Sequence, residues 1–358
     1  MCRAPPVLRG RDPRPGLIPS PPEESSGRPQ RPYPPFCVDH RLAHVFFEVT
    51  MLRKPLLLAA GSHTCRRIVE QTPMTRAMVD RFVAGADLTE ALPAIEEVTE
   101  DRYVTLDFLG EDTVDLARAE ATVRAYEEVL AALGEAGLSA RAEVSVKLSA
   151  VGQFLDRDGE KIALDHARRI ARAAQAVGTT MTLDMEDHTT TDSTLGILRE
   201  LRQDFPFVGA VLQAYLRRTE ADCRDLSGAG SRVRLCKGAY DEPESVAYRD
   251  KHEVDKAYVR ALRILMEGKG YPMVASHDPR LVAIAGELAA ACGRSEDGYE
   301  HQMLYGIRDV EQVRLAAEGK RVRVYVPYGT EWYGYYMRRL AERPANVLFL
   351  ARSLATRN

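Results

Sequence analysis

The feature that most constrains the fold is an eightfold alternation of short apolar runs with amphipathic stretches, which begins near residue 103 and continues to residue 327. The apolar runs have the length of buried strands, and the stretches between them carry the period of helices. Strands that alternate with helices predict parallel β/α units. The predicted strands cover residues 103–109, 142–148, 180–185, 208–214, 232–238, 272–276, 298–304 and 322–327.

Eight β/α units in about 250 residues match the size of a closed (β/α)8 barrel. The alternative is an open doubly wound sheet, which usually has a G-x-G-x-x-G turn after its first strand, and the chain has none. We therefore predict an α/β fold of the TIM-like (β/α)8 type. The predicted helices include residues 113–133, 166–177, 194–203, 254–267, 279–291 and 310–318.

The chain divides into three segments by composition. Residues 1–50 carry eleven of the twenty prolines, mixed with Arg, Ser and Gly, and such a stretch is expected to be disordered. We hypothesise that translation starts near Met51 and that the preceding segment is a misassigned start. Residues 51–100 are predicted to form an N-terminal helical segment, with helices over 64–82 and 88–98. Residues 101–358 are predicted to form the catalytic barrel.

The bulk composition excludes several classes of protein. A net charge of −3 over 358 residues gives no sign of nucleic-acid binding, and no apolar run approaches the roughly 20 residues of a membrane span. The six cysteines are scattered without a C-x-x-C pair, so we interpret them as reduced thiols of a cytosolic protein.

The C-terminal ends of the predicted strands are unusually polar. In a barrel these ends form the active site, and a buried charge carries a desolvation cost that packing alone does not offset. The pattern therefore predicts a polar ligand site at this end, although any one charge can belong to a structural ion pair. The residues concerned include Lys147, Ser149, Asp184, Glu186, Asp187, His188, Gln213, Arg234, Lys237, Ser276, His277 and Tyr325.

The residue types leave several chemistries open. Lys147 and Lys237 suit either Schiff-base catalysis or simple cationic binding of an anion. Asp184, Glu186 and His188 alternate along one predicted strand face, with Asp187 on the other face, and resemble metal ligands. However, no second His-rich motif completes a coordination shell, so we predict no metal. His277 suits a base, a phosphate ligand or an ordinary core histidine.

The C-terminal segment predicts a helix with one unusual face. Tyr335, Arg338, Arg339 and Glu342 are spaced i, i+3, i+4 and i+7 and share that face. Two adjacent guanidinium groups are suited to bind a small carboxylate, so the predicted fold gains a C-terminal substrate-clamping helix besides its extra N-terminal helices. The alternative is a solvated face with an ion pair between Arg338 and Glu342.

Motifs along nearly the whole barrel resemble the proline dehydrogenase family. They run in order from about residue 103 to residue 350, and the chain is too short for a second aldehyde dehydrogenase domain, so it is most similar to the monofunctional, bacterial-type enzymes. The motifs are residues 234–240 (Arg-Leu-Cys-Lys-Gly-Ala-Tyr), 325–330 (Tyr-x-Pro-x-Gly-Thr), 335–342 (Tyr-x-x-Arg-Arg-x-x-Glu), 146–149 (Val-Lys-Leu-Ser), 183–186 (Leu-Asp-Met-Glu), 211–215 (Val-Leu-Gln-Ala-Tyr) and 302–306 (Gln-Met-Leu-Tyr-Gly).

The resemblance implies that the barrel binds FAD non-covalently and oxidises L-proline to Δ1-pyrroline-5-carboxylate, the first step of proline catabolism to glutamate. Hydride would pass from proline C5 to flavin N5, and electrons would go on to a quinone. By the same resemblance, Asp184 and Arg234 would be catalytic and Glu342 would position the arginines. The substrate would be bound by Lys147, Leu304, Tyr325, Tyr335, Arg338, Arg339 and Ala239, with Leu235 nearby.

The resemblance also implies a set of FAD ligands and partners. The FAD ligands would be Gln213, Arg234, Lys237, Gly238, Ala239, Tyr240, Lys251, Ser276 and His277. A cytoplasmic location follows, with peripheral contact at the inner face of the membrane for quinone reduction. A separate pyrroline-5-carboxylate dehydrogenase is an expected transient partner, because it would take the product.

Three other functions stay open at this point. A Schiff-base aldolase would use Lys147 or Lys237 and would be colourless. A non-catalytic barrel could bind amino acids without turnover. A flavoenzyme of the same fold could act on another cyclic or N-methylated amino acid.

Overall fold

Eight parallel strands close into a barrel in chain order, with β1 paired to β8. This closure confirms the predicted (β/α)8 barrel. The computed structural model describes residues 79–342, apart from the side chains of residues 338 and 340–342. Its strands are β1 Tyr103–Phe108, β2 Ala142–Val146, β3 Met181–Leu183, β4 Gly209–Gln213, β5 Arg232–Cys236, β6 Tyr271–Ala275, β7 Glu300–Leu304 and β8 Val322–Tyr328.

Helices follow the strands as the amphipathic pattern predicts, and several begin at an aspartate cap. Asp115, Asp250 and Asp278 each accept a hydrogen bond from a backbone N–H of the first helical turn, which would otherwise lack a partner. The helices are α1 Leu88–Thr99, α2 Leu116–Glu135, α3 Gly159–Ala176, α4 Thr191–Asp204, α5 Thr219–Leu226, α6 Lys251–Glu267, α7 Pro279–Ala291, α8 Asp309–Ala317 and α9 Trp332–Glu342.

The hydrophobic core lies between the barrel and its helices. Alternate strand residues point outward into this layer, as the period of two along a strand requires. The layer includes Val104, Leu106, Val144, Val146, Leu183, Leu235, Val324 and Val326 from the strands, and Tyr126, Leu130, Ile170, Leu198, Tyr258 and Leu262 from the helices.

The interior of the barrel is polar. Near the N-terminal ends of the strands lies a lower layer of four charged residues, Glu143, Arg232, Glu300 and Arg323, which pair across the interior. Near the C-terminal ends lies an upper layer, whose members are Asp107, Ser145, Lys147, Asp184, Arg234 and Tyr325. Of the polar residues that the sequence singled out, Lys147, Asp184, Arg234 and Tyr325 therefore lie inside the barrel.

A second hydrophobic cluster joins α9 to the C-terminal end of the barrel. In it Phe82 and Tyr335 pack with Leu109, Ile307 and Leu304, which follow or end strands. Two backbone hydrogen bonds, from Ala84 to the Pro327 carbonyl and from Gly329 to the Gly85 carbonyl, fasten the same region. This cluster places the predicted clamping helix beside the strand ends.

The element boundaries differ from the predictions in one place that matters for the site. The sequence predicts a third strand over residues 180–185, whereas β3 ends at Leu183 and pairs with β4 at only two positions. The polar residues from Asp184 to His188 therefore leave the strand and do not alternate across it.

The predicted helix over 88–98 is confirmed as α1. The segment of residues 1–50 and most of the predicted helix over 64–82 lie outside the described residues. Within residues 79–342, none of the helices combines the length and hydropathy needed to cross a membrane.

Candidate active site

Asp184 is the centre of the upper layer. Its Oδ1 accepts hydrogen bonds from Ser145 Oγ at 2.8 Å and from Arg234 Nη1 at 2.6 Å, and its Oδ2 accepts one from the Tyr325 hydroxyl at 2.8 Å. The Asp184 residue is only 8% exposed. A buried carboxylate that accepts hydrogen bonds from three donors fixes the orientation of each donor.

Arg234 is held on several sides. Besides its bond to Asp184, its Nε donates to Gln302 Oε1 at 2.6 Å, and its guanidinium carbon lies 5.3 Å from the centre of the Tyr325 ring. A further contact reaches Thr105 Oγ1 at 3.5 Å. A guanidinium held by in-plane bonds and a ring has little freedom to reorient, so its positive charge is fixed in space.

Lys147 forms a buried ion pair. Its Nζ donates to Asp107 Oδ2 at 2.5 Å and lies 4.0 Å from Asp184 Oδ2 and 3.4 Å from the Tyr325 hydroxyl. Burial alone would lower the pKa of the Lys147 ammonium, but the charges of Asp107, Asp184 and Glu111 outweigh burial and raise that pKa. Lys147 is therefore a fixed cation at the strand ends.

The four polar residues that follow β3 do not converge on one point. Glu186 accepts from Ser149 Oγ at 2.6 Å, Asp187 accepts from the backbone and hydroxyl of Thr189, and His188 bonds Glu242. Among the described residues, no three His, Cys, Asp or Glu side chains are grouped as a metal site requires. Each of these residues instead binds its own protein partner.

Glu186 has the most perturbed carboxyl of this group. Burial raises the pKa of the Glu186 carboxyl to about 7, against two hydrogen bonds from Ser149 that lower it, and the nearby charge of Glu111 raises it further. Such a group titrates near neutral pH, and a shift of this kind is typical of functional sites.

Helix α9 brings two of the predicted substrate ligands to this end of the barrel. Tyr335 is buried, and the guanidinium carbon of Arg339 lies 5.2 Å from the centre of its ring. Leu304, the last residue of β7, packs in the same cluster. The side chains of Arg338 and Glu342 lie outside the described residues, so the predicted clamp is described only through Arg339.

The loop after β5 has a tight backbone approach. Gly238 has φ +111°, and a Cβ placed there would lie 2.3 Å from the Tyr215 ring. The Tyr215 hydroxyl in turn donates to Glu242 at 3.3 Å, the residue that also bonds His188. Only glycine fits this position, so the chain is pinned against the end of β4.

Several features of this region fit a bound cofactor. Gln213, the last residue of β4, is buried, and its Oε1 has no hydrogen-bond partner among the described residues. A buried amide oxygen without a donor is costly, and a ligand N–H would satisfy it. Ala239 and Tyr240 are half-buried in the adjoining loop. The unpaired acceptor of Gln213 and the close approach at Gly238 therefore suit a polar heterocycle with an N–H group.

The remaining predicted cofactor ligands are spread along the next units. Lys237 Nζ bonds Asp255 at 2.5 Å and Asp278 at 3.3 Å, so its charge is already paired. Ser276 is buried after β6, and His277 accepts from the Leu304 backbone N–H at 2.9 Å. Lys251 is exposed at the start of α6.

Sequence reasoning missed one partner and misplaced one residue. The predictions did not include Asp107, although Thr105 and Asp107 alternate with apolar residues in β1 and so face the interior. Leu235, expected near the substrate ring, lies instead in the outer hydrophobic layer, since its neighbour Arg234 points inward.

Comparisons with known proteins agree with these motifs. A family model described as proline dehydrogenase matches residues 91–352. The chain is 39% identical over 307 residues to proline dehydrogenase of Deinococcus radiodurans, covering 85% of this chain and 98% of that protein. It is 36% identical over 305 residues to proline dehydrogenase 1 of Bacillus subtilis, covering 85% and 99%.

A solved structure resembles the fold as well. It is that of proline utilization A (PutA) from Bdellovibrio bacteriovorus inactivated by N-propargylglycine, with a TM-score of 0.72 and 25% sequence identity. The match covers 84% of this chain but only 37% of that longer one.

Proposed function

This chain belongs to the proline dehydrogenase family, and from that premise we propose that it oxidises L-proline to Δ1-pyrroline-5-carboxylate with non-covalently bound FAD and passes the electrons to a quinone. The observation that carries the proposal is the fixed cation pair of Lys147 and Arg234 around Asp184 and Tyr325. These groups lie at the strand ends where barrel enzymes bind their substrates.

The substrate carboxylate is bound by cations. Lys147 contributes a charge from directly after β2, and Arg339 contributes one from α9. Arg338, beside Arg339 in sequence, would add a third charge, and Glu342 is the proposed positioning residue. Several cations on one carboxylate orient a small molecule firmly. The rings of Tyr325 and Tyr335, with Leu304 and Ala239, form the wall for the proline ring.

When bound, FAD supplies the hydride acceptor, its N5, for the hydrogen that leaves proline C5. Arg234 would place a positive charge by that atom, and Asp184 and Gln302 hold its guanidinium in place. The unpaired amide oxygen of Gln213 would accept a hydrogen bond from the pyrimidine edge, and Gly238 would allow a close backbone approach. The proposed remaining ligands are Lys237, Ala239, Tyr240, Lys251, Ser276 and His277.

The protein's residues also set the protonation state of the substrate. Proline must lose its amine proton before hydride can leave, and nearby cations lower the pKa of an ammonium group. Lys147 cannot accept the proton, because its own pKa is raised. We propose that water takes it, while Asp184 holds the Tyr325 hydroxyl away from that role by accepting its hydrogen bond.

The aldolase alternative is disfavoured by the same lysines. A Schiff-base lysine must be deprotonated to attack a carbonyl, whereas Lys147 is held as a cation by Asp107 and Lys237 is paired with two carboxylates.

We also propose a cytoplasmic location with transient membrane contact, and transfer of the product to a separate pyrroline-5-carboxylate dehydrogenase. The membrane contact follows from the proposed transfer of electrons to a quinone. The partner enzyme follows from the instability of the imine product.

The test is the visible absorption spectrum of the purified protein before and after anaerobic L-proline. We expect the bands of an oxidised flavin near about 450 nm that bleach on addition of L-proline. A flavin spectrum that D-proline and sarcosine bleach equally well would reject the assignment to L-proline. A protein that stays colourless and inert after added FAD would reject the flavin.

The carboxylate clamp has its own test. Arg339→Met should raise KM for proline far more than it changes kcat, because the cation binds a part of the substrate that does not react. An unchanged KM in Arg339→Met and Arg338→Met would show that the clamp is wrong while leaving the flavin chemistry intact.

A further inference from the structure

A cavity lies at the opposite end of the barrel from the proposed active site. It has a volume of about 400 Å³ and is lined by residues at the N-terminal ends of the strands, including Tyr103, Tyr271 and Arg323. Its size falls in the range of small-molecule pockets, roughly 300–1,000 Å³. Nothing in the proposed oxidation of proline uses this end of the barrel.

Four arginines line the cavity, and two of them are neutralised by the lower layer. Arg323 donates to both oxygens of Glu300, at 2.7 and 3.1 Å, and Arg232 donates to Glu143 at 2.7 Å. The partner charges hold both glutamates ionised despite their burial, and the pKa of Glu143 is lowered to about 2. These pairs balance the charges of Arg232 and Arg323 and leave no charge in excess.

The other two arginines, Arg141 and Arg321, have no carboxylate within 4.0 Å in the described part of the chain. Arg141 donates a long hydrogen bond of 3.4 Å to the Glu100 carbonyl, and Arg321 bonds Tyr271. Their guanidinium carbons lie 5.7 and 5.6 Å from the centre of the Tyr103 ring. The cavity therefore carries two positive charges in excess of its carboxylates.

The way these two guanidinium groups are held leaves their donors usable. A guanidinium has five N–H donors in one plane, and contact with an aromatic ring does not pair these donors with an oxygen acceptor. Two guanidinium groups beside one ring can therefore bind the planar or tetrahedral oxygens of an anion. Tyr103 thus acts as a common support for both cations.

We propose that this cavity is a binding site for a small dianion that carries phosphoryl or carboxylate oxygens, held by Arg141 and Arg321. The excess of two positive charges sets the charge of the ligand, and the volume admits a molecule of the size of phosphate or a short dicarboxylate. Asp297, an exposed carboxylate outside the cavity lining, acts on Arg321 with its opposite charge. This site is independent of the function proposed above.

The test is calorimetric titration of the full-length flavin-loaded protein with inorganic phosphate, and in a second arm with glutarate. We expect saturable binding of one ion per chain, which potassium chloride at the same ionic strength does not reproduce. Phosphate and glutarate together distinguish phosphoryl from carboxylate ligands. Binding that alters the flavin spectrum would belong to the other end of the barrel and would count against the proposal.

Paired variants locate the binding. Arg141→Gln with Arg321→Gln should weaken the affinity by about tenfold or more, since each change deletes charge-assisted hydrogen bonds. Asp297→Asn should tighten it. The matched control, Arg172→Gln with Arg199→Gln, removes two exposed arginines of α3 and α4 and should leave the affinity unchanged.

Two results would overturn the proposal: no saturable binding of either ion, or equal affinity in the Arg141→Gln, Arg321→Gln variant and the wild type. If the double variant does not fold, Arg141→Gln alone serves, because this side chain is exposed and contributes only one long hydrogen bond.

Discussion

Lys147 and Asp107 form an ion pair of 2.5 Å between adjacent strands, with the aspartate fully buried and the lysine nearly so. The pair keeps a cation at the strand ends before any substrate carboxylate arrives. Its charge is therefore fixed in advance by the fold, and the substrate does not have to order it.

Asp107→Asn should destabilise the protein by about 3 kcal/mol, because it leaves the Lys147 ammonium buried with Asp184 alone at 4.0 Å. Urea denaturation followed by circular dichroism measures the change. The control is Asp165→Asn, which breaks an exposed pair with Arg168 and should cost less than about 1 kcal/mol. Equal losses in the two variants would contradict the role given to burial.

Tyr325→Phe should lower kcat/KM for proline by about tenfold or more, because it removes a buried hydrogen bond to the Asp184 carboxyl group. Steady-state kinetics with a fixed electron acceptor measures the change. The control residue is Tyr328, which lies three residues after Tyr325 in β8. The Tyr328 hydroxyl is buried without a partner among the described residues, so Tyr328→Phe should keep activity and stability. A similar loss in Tyr328→Phe would point to strand packing instead.

Glu186→Gln should change how stability depends on pH. The pKa of Glu186 is about 7 in the folded protein against an ordinary 4.5, so the folded state binds more protons between these values. Protonation therefore stabilises the fold at low pH, and this contribution is lost as pH rises through about 7.

Since glutamine mimics the protonated carboxyl, the variant should lack this loss, which we put at no more than about 3 kcal/mol. Urea denaturation of both proteins from pH 5 to pH 8 measures it. The control is Glu287→Gln at an exposed position of α7, which should follow the wild type. Parallel curves for Glu186→Gln and the wild type would show that Glu186 titrates normally.

Gly238→Ala should reduce the flavin content of the purified protein, because the new Cβ would lie 2.3 Å from the Tyr215 ring and would displace the loop. The flavin-to-protein absorbance ratio measures the content. Gly137→Ala is the control, since Gly137 also has positive φ, +71°, but has open space around its Cβ. It should cost about 1 kcal/mol of stability and keep the flavin. Full flavin content in Gly238→Ala would show that the tight approach is dispensable.

The hydrophobic periodicity was sufficient to predict the barrel, because each strand and each helix has a recognisable pattern in its own segment of the sequence. It also predicted polar side chains at the C-terminal ends of the strands, since residues such as Lys147 and Asp184 directly follow apolar runs. The spacing did not indicate that Lys147 would pair with Asp107. That contact depends on the register between β1 and β2, which brings residues 40 positions apart together.

The segment after β3 shows a second limit of sequence reasoning. Alternation placed Asp184, Glu186 and His188 on one face, but the strand ends before them and each turns to a different partner. The bond between His188 and Glu242 joins two loops that are 54 residues apart. Such contacts depend on how loops pack, which no local pattern encodes.

The polar barrel interior has a consequence for how this chain can vary over evolutionary time. Arg323 and Glu300, like Arg232 and Glu143, are largely buried charges of opposite sign that pair with each other. A single replacement leaves the other charge buried without a partner, whereas two simultaneous replacements by apolar residues can be tolerated. Drift at these positions should therefore be slow and correlated, so related sequences should keep or lose the members of each pair together.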